Sequence, residues 1–264
     1  MAYRLAHLSD LHIGTNDDAA AELLVKALLR SGPDRIVLTG DITHRGRRSE
    51  LERFRALFAP VAGGLVCVPG NHDRLGDDLE AELMPGPRVQ SVDDPGVRLV
   101  RFNSTGAHNR RWFDSHGLLT PSDLEAIENE LRGTPRGGAA VLLLHHHLLP
   151  LPVEDFLERL ATRLGWPNAA ELALGPALVQ RLRGVCDLVL HGHRHIPAER
   201  MRWRNDPRPL RIVNGGSSIL LRGFRLFELQ GGAWSERWVD ATEPHEALEW
   251  CPAMEYQSGP LPGW

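Results

Sequence analysis

Aspartate, histidine and asparagine recur at five places where an apolar run ends. Asp10 and His12 follow YRLAHLS, Asp41 follows RIVLTG, and Asn71, His72 and Asp73 follow GLVCVPG. His145 to His147 follow AAVLLL, and His193 and His195 follow CDLVLHG. Singly, most of these have ordinary explanations. An Asp after a strand is usually a turn former or a helix N-cap, and Gly-Asp is common turn chemistry. Asn-His-Asp after Gly70 is sharper, because a Gly-Asn turn leaves the His and Asp unexplained. His193 and His195 stand two apart, so on an extended segment both rings project from one side. In an open α/β sheet the carboxyl ends of parallel strands face one crevice, so groups placed just after successive strands converge there. Five such ends delivering carboxylate, amide and imidazole together form a metal-site pattern.

The elements that must deliver these groups are short runs rich in Val, Ile and Leu. They span 3–9, 35–40, 64–70, 97–102, 139–144, 186–192 and 210–216, and their lack of strict alternation predicts strands covered on both faces. Helical stripes lie between them: Leu23, Leu24, Ala27 and Leu28 in one, and Leu51, Phe54, Leu57 and Phe58 in another. At 120–131, Thr120, Pro121 and Asp123 supply an N-cap, a first-turn proline and an acidic first turn. Strand and helix alternate, which predicts a layered α/β fold with much parallel pairing. The segments flanking Gly231 and Gly232 predict a terminal hairpin. One domain is expected over 1–240, with an irregular tail at 241–264.

With 264 residues, 42% hydrophobic and 24% charged, the chain can bury a large core. A net charge of -4 gives no global footprint for nucleic acid or an anionic membrane. Three scattered cysteines make no disulfide framework, no apolar run approaches a membrane span, and no signal pattern opens the chain. A cytoplasmic protein with no membrane partner is therefore expected.

In order along the chain, Asp10-Leu11-His12, Gly40-Asp41, Gly70-Asn71-His72-Asp73, His145 and Gly192-His193-Arg194-His195 resemble the five motifs of the calcineurin-like metallophosphoesterases. The resemblance spans about residues 5 to 216 and implies a four-layer αββα sandwich with mixed sheets and the site at strand carboxyl ends. It implies one metal held by Asp10, His12, Asp41 and His195, and another by Asp41, Asn71, His145 and His193, with Asp41 bridging. Imidazole with oxygen donors suits Mn, Fe or Zn better than Ca. Two divalent ions less two carboxylates and a bridging hydroxide leave about one positive charge, which attracts a phosphate oxygen. Two ions roughly 3.5–4 Å apart can acidify a shared water and clamp the attacked phosphoryl group. The family pattern makes His72 and Asp41 the catalytic candidates, with His72 binding a phosphoryl oxygen or protonating the leaving alkoxide. Asn71, His72 and His146 are the substrate-binding candidates, and Asp73 is expected to orient a histidine.

The motifs imply the reaction class rather than the substrate. The stretch FNSTGAHNRRWFDSHGLLTPSDLEAIENEL and the segment LLLHHHLLP resemble those of cyclic-nucleotide and glycerophospho-diesterases, with His147 and Leu148 where these usually carry proline. A small phosphodiester is the favoured substrate. A nuclease using Arg110, Arg111 and Trp112, or Arg202, Trp203, Arg204, Arg208 and Arg211, is an alternative, as are a phosphomonoesterase and a metal-free protein-binding scaffold. Residues 148–185 are expected to wall the cleft with two amphipathic helices. If 145–147 continue an extended strand, His145 and His147 face one way and His146 the other. The resemblance selects His145 as the ligand.

Overall fold

The computed structural model describes residues 2–15, 17–110, 117–149 and 172–243. In chain order the first elements are β1 (Tyr3–Leu8), α1 (Asp18–Ser31), β2 (Arg35–Thr39), α2 (Arg48–Phe58), β3 (Leu65–Val68) and α3 (Glu80–Leu83). Next come β4 (Val89–Asp94), β5 (Val97–Phe102), α4 (Pro121–Arg132), β6 (Ala139–Leu143), α5 (Gly175–Arg181) and β7 (Leu188–His191). The last are β8 (Ala198–Arg202), β9 (Leu210–Asn214), α6 (Ser218–Leu221), β10 (Gly223–Gln230) and β11 (Ala233–Asp240). The expected helix at 120–131 forms as its sequence dictates: the Thr120 hydroxyl accepts from the Asp123 amide, and the Asp123 carboxylate accepts from the Thr120 amide.

One sheet has the order β11-β10-β1-β2-β3 and the other β4-β5-β6-β7-β9-β8. Strands β1, β2 and β3 run parallel to one another, β3 forming one edge of its sheet, as do the interior strands β5, β6, β7 and β9 of the other. β10, β11, β4 and β8 pair antiparallel, so both sheets are mixed.

The period-two geometry of a strand sorts these residues into three apolar layers. Ala6, Leu8, Ile36 and Leu38 pack under α1 and α2 with Leu24, Leu28, Phe54 and Phe58. Their strand neighbours Leu5 and Val37 face the other way and meet Leu99, Val141, Leu188 and Val213 between the sheets. Val100, Phe102, Ala140 and Leu142 complete the sequence against Leu124, Ile127 and Leu131 of α4 and Leu178 of α5. Three apolar layers separate four structural ones, in the order helix, sheet, sheet, helix. This is why the central strands read as unbroken apolar runs: both faces are covered.

Two strands were not visible as apolar runs. β4 and β8 are the edges of the second sheet, with the sequences VQSVDD and AERMR and half-buried faces. Edge strands carry charge as a rule, which removes the signature that marks a central strand. The expected helices within 148–185 lie largely outside the described residues, as do Arg111, Trp112 and the tail from 244 onward; α5 is the described part. Among the described residues no helix is long and apolar enough to cross a membrane.

Candidate metal centre

The five strand ends meet at one edge of the two sheets, and their loops are held in unusual backbone conformations. Asp10, His12, Asp41 and His193 all have positive φ, between 46° and 73°. For residues other than glycine this region is sparsely populated and costs about 1–3 kcal/mol each, so the surrounding bonds must enforce it. Those bonds are present. The amides of Asp10 and His12 donate to the carbonyls of Gly40 and Asp41, at 3.1 and 2.9 Å. The His193 amide donates to the Asp10 carboxylate, 3.2 Å from each oxygen.

Asp73 grips this arrangement from below. Fully buried, it accepts from the amides of Gly70 (2.8 Å) and Thr43 (2.8 Å), from the Thr43 hydroxyl (2.7 Å) and from the Ile42 amide (3.3 Å). It was expected to orient a histidine; instead it ties the Asp41 loop to the Asn71 loop through their backbones. Burial, with Asp41 nearby, pushes its carboxyl up to about 6 even so.

Two sets of donor atoms result, and Asp41 belongs to both. On one side His12 Nε2 lies 3.3 Å from His195 Nε2 and 3.8 Å from Asp41 Oδ2, and His195 Nε2 lies 3.7 Å from Asp10 Oδ1. On the other, His145 Nε2 lies 3.4 Å from Asp41 Oδ2, 3.0 Å from Asn71 Oδ1 and 3.3 Å from His193 Nδ1. His193 Nδ1 lies 3.1 Å from Asn71 Oδ1. All seven expected ligands are therefore brought close together. Asp10, His12 and His195 form one set, and Asp10, Asp41 and His145 form another, each with donor atoms within 4.8 Å of one another.

The chemistry of these donors fits cations. Two pairs of imidazole nitrogens face each other at 3.3 Å, an arrangement that needs a proton or a metal between them. Burial pulls His12 and His193 down to about 3, so both rings are neutral at pH 7 and keep a lone pair to offer. Burial, with the Asp41 charge beside it, pushes Asp10 up to about 8 against the pull of His145. A buried carboxylate in that condition lacks positive charge. Burial also works against a charged His145, but the Asp41 carboxylate overrides it and holds the ring near 9. A proton on His145 thus does the neutralising that a metal ion would do. His145 Nδ1 donates to the Thr39 carbonyl at 2.8 Å, which aims Nε2 at Asp41 and Asn71. Gly40 permits this approach: its φ is +89°, and a β-carbon there would collide with the His145 ring.

His72 sits at the rim. Its amide donates to Asp41 Oδ1 at 2.9 Å and its Nδ1 to the His44 carbonyl at 2.7 Å, leaving Nε2 available. His12, His44, His72 and His195, with Leu11, Ile219 and Leu220, line a cavity of about 270 Å³ next to the donor clusters. The His44 ring stacks on His72 with centroids 5.7 Å apart.

The alternation expected for the histidine triplet does not occur, because β6 ends at Leu143 and the chain bends at His145 and His146. All three rings surround His193, with centroids at 5.1, 4.9 and 5.7 Å for His145, His146 and His147. Three contributors escaped the sequence reading. Ser104 accepts from the amides of His145 and His146, Asn214 holds the carbonyls of Arg194 and Ile196, and Ser217 donates to the Asp10 carbonyl. Each lies at or within four residues after a strand end, the position that found the others. A lone Ser or Asn there is too ordinary to stand out.

A model of the calcineurin-like phosphoesterase family matches residues 3–197. The chain is 32% identical over 218 residues to a cAMP/cGMP dual specificity phosphodiesterase of Mycobacterium tuberculosis, covering 73% of this chain and 62% of that protein. It is 30% identical over 166 residues to a glycerophosphodiester phosphodiesterase of Enterobacter lignolyticus, covering 56% and 58%. The chain thus spans about 60% of the length of these curated relatives. Among solved structures, a dimetal phosphatase from Danio rerio superimposes with a TM-score of 0.65 at 13% identity, covering 91% of this chain and 97% of that one. That likeness concerns the fold.

Proposed function

The chain belongs to the calcineurin-like phosphoesterase family, and from that premise we propose that it is a hydrolase of small phosphodiesters working with two metal ions, Mn, Fe or Zn. One observation carries the reading: Asp41 Oδ2 stands between two donor sets, 3.8 Å from His12 Nε2 and 3.4 Å from His145 Nε2. A carboxylate so placed can serve both sets at once. In this reading Asp10, His12, Asp41 and His195 form one ligand set, and Asp41, Asn71, His145 and His193 the other. When bound, the ions supply an activated water and positive charge for the phosphoryl oxygens.

The remaining work falls to the chain. Asp73 keeps the Asp41 and Asn71 loops in register, and Thr39 and Gly40 set the His145 ring, so the donors are fixed before substrate arrives. His72, fixed through the His44 carbonyl, offers Nε2 to a phosphoryl oxygen or returns a proton to the leaving alkoxide. The adjacent cavity, walled by Leu11, Ile219 and Leu220, takes the leaving group. Asn71 and His146 complete the substrate contacts.

The diester preference draws support from the two relatives, both named as phosphodiesterases. The nuclease alternative is weakened by pairing of its basic residues. Arg208 binds Asp187, Arg211 binds Glu199 and Glu236, and Arg110 faces Asp78. Phosphate contacts would have to be made at the cost of those bonds. Turnover of bis(p-nitrophenyl) phosphate and a cyclic nucleotide should exceed that of p-nitrophenyl phosphate under matched metal loading. Equal or faster monoester turnover overturns the preference, and the lack of any metal-dependent hydrolysis would leave the scaffold reading instead.

A further inference from the structure

His145, His146 and His193 each place a ring nitrogen within 4.8 Å of the others. By distance alone His146 is as good a metal donor as its neighbours. Its hydrogen bonds say otherwise.

Ser104 Oγ lies 3.3 Å from the His145 amide and 3.2 Å from the His146 amide, and accepts from both. A hydroxyl has two acceptor lone pairs and one proton. With both lone pairs engaged, the proton has one place to go: His146 Nδ1, at 2.8 Å. Nδ1 therefore accepts, which makes the ring neutral and puts its own proton on Nε2. A nitrogen carrying a proton has no lone pair in the ring plane to give a metal. His145 is arranged the opposite way: Nδ1 donates to the Thr39 carbonyl, so the nitrogen that a metal would claim in exchange for a proton is Nε2.

His146 is 2% exposed, and its Nε2 is buried with no hydrogen-bond partner among the described residues. With Nδ1 accepting from Ser104, that Nε2 proton is free to be donated to a bound group. His147 also has a buried unpartnered nitrogen, Nδ1, but among the described residues no side-chain hydroxyl fixes its tautomer.

We propose that Ser104 is a positioning residue that locks His146 with its proton on Nε2, and that this N–H donates to an anionic phosphoryl oxygen at the two donor sets instead of His146 binding metal. The proposal rests on the phosphoesterase reading for the identity of the acceptor, and on Ser104 alone for the tautomer.

Two measurements test the parts separately. Long-range ¹H–¹⁵N spectra of the histidine-labelled, metal-stripped protein, with His146 assigned by its loss in His146→Ala, should show the proton on Nε2. The δ form should appear in Ser104→Ala, and the Nε2–H form should return in Ser104→Thr, which restores a hydroxyl. A wild-type His146 with its proton on Nδ1 overturns the proposal. In the Mn-loaded protein, inorganic phosphate should bind His146→Ala five- to tenfold more weakly than wild type, with metal content per chain unchanged. Loss of one metal equivalent in His146→Ala would make it a ligand, and unchanged phosphate affinity would remove the donor role; either result overturns the proposal. A wild-type chain that takes up no metal overturns the proposed function and the phosphoryl acceptor with it, an outcome distinct from a metal-loaded chain indifferent to His146.

Discussion

Replacing Asp41 with asparagine exchanges one carboxylate oxygen for an amide nitrogen and removes one negative charge with almost no change in shape. The structure indicates what that charge does. Asp41 Oδ2 is 3.4 Å from His145 Nε2 and 3.8 Å from His12 Nε2, and Oδ1 accepts from the His72 amide at 2.9 Å. A cation held by either histidine would therefore lie about as close to Asp41 as to the ring. Two unit charges about 4 Å apart interact by about 4 kcal/mol at an effective dielectric near 20. Asparagine keeps one oxygen and recovers part of this, so a loss of roughly 100- to 1000-fold is expected in metal affinity and in turnover. The His72 bond is preserved if the amide oxygen takes the Oδ1 position, so the fold should persist. The assay is metal content per chain after desalting, together with bis(p-nitrophenyl) phosphate turnover across a metal titration. Asp41→Asn that retains two ions and turns over within tenfold of wild type would refute the shared-carboxylate reasoning.

Gly40→Ala should be damaging although it adds one methyl, because φ is +89° and the new β-carbon meets the His145 ring. A loss of about 1–3 kcal/mol in urea unfolding together with reduced metal uptake is expected, and a variant matching wild type in both would contradict the close approach. The metal-stripped chain should also lose stability as pH falls from 7 to 5. His12 and His193 near 3, and His191 near 4, are held below the usual 6.5 by burial, and His7, His146 and His147 lie well below it for the same reason. Below 6.5 the unfolded chain binds protons at these sites that the folded chain does not, so the stability they confer above 6.5 is lost on acidification. For His12, His193 and His191 the loss between pH 7 and 5 is about 2 kcal/mol each, and His7, His146 and His147 act in the same direction. Asp10, raised to about 8, Asp73, raised to about 6, and His145, raised to about 9, run the other way, since their folded forms gain from protonation, but they are three groups against six. A urea midpoint that is flat or rises between pH 7 and 5 would show the rings to be charged in the fold.

The donor residues were legible in the chain because a parallel strand announces itself as an apolar run and its carboxyl end must open on the shared crevice. Position marked the clusters of Asp, Asn and His after the strands, and the runs predicted a layered α/β fold; the resemblance to the phosphoesterase motifs singled out Asp10, His12, Asp41, Asn71, His145, His193 and His195 and implied the αββα layering. The limits of that reading are physical. Side-chain direction follows from sequence only while the backbone repeats, and β6 stops repeating at Leu143, so the orientation of His146 and His147 depended on how the following bend packs on His193. Asp73 could be seen as a supporting carboxylate, but its partners are backbone amides of two loops that are 30 residues apart and meet only in the folded chain. Ser104 is an unremarkable residue until the tertiary structure lays the amides of 145 and 146 on its oxygen and the ring of His146 on its proton. Residue type and spacing determined which donors are present; which nitrogen of each ring carries the proton was decided by contacts between strand ends, and those exist only once the two sheets have closed on each other.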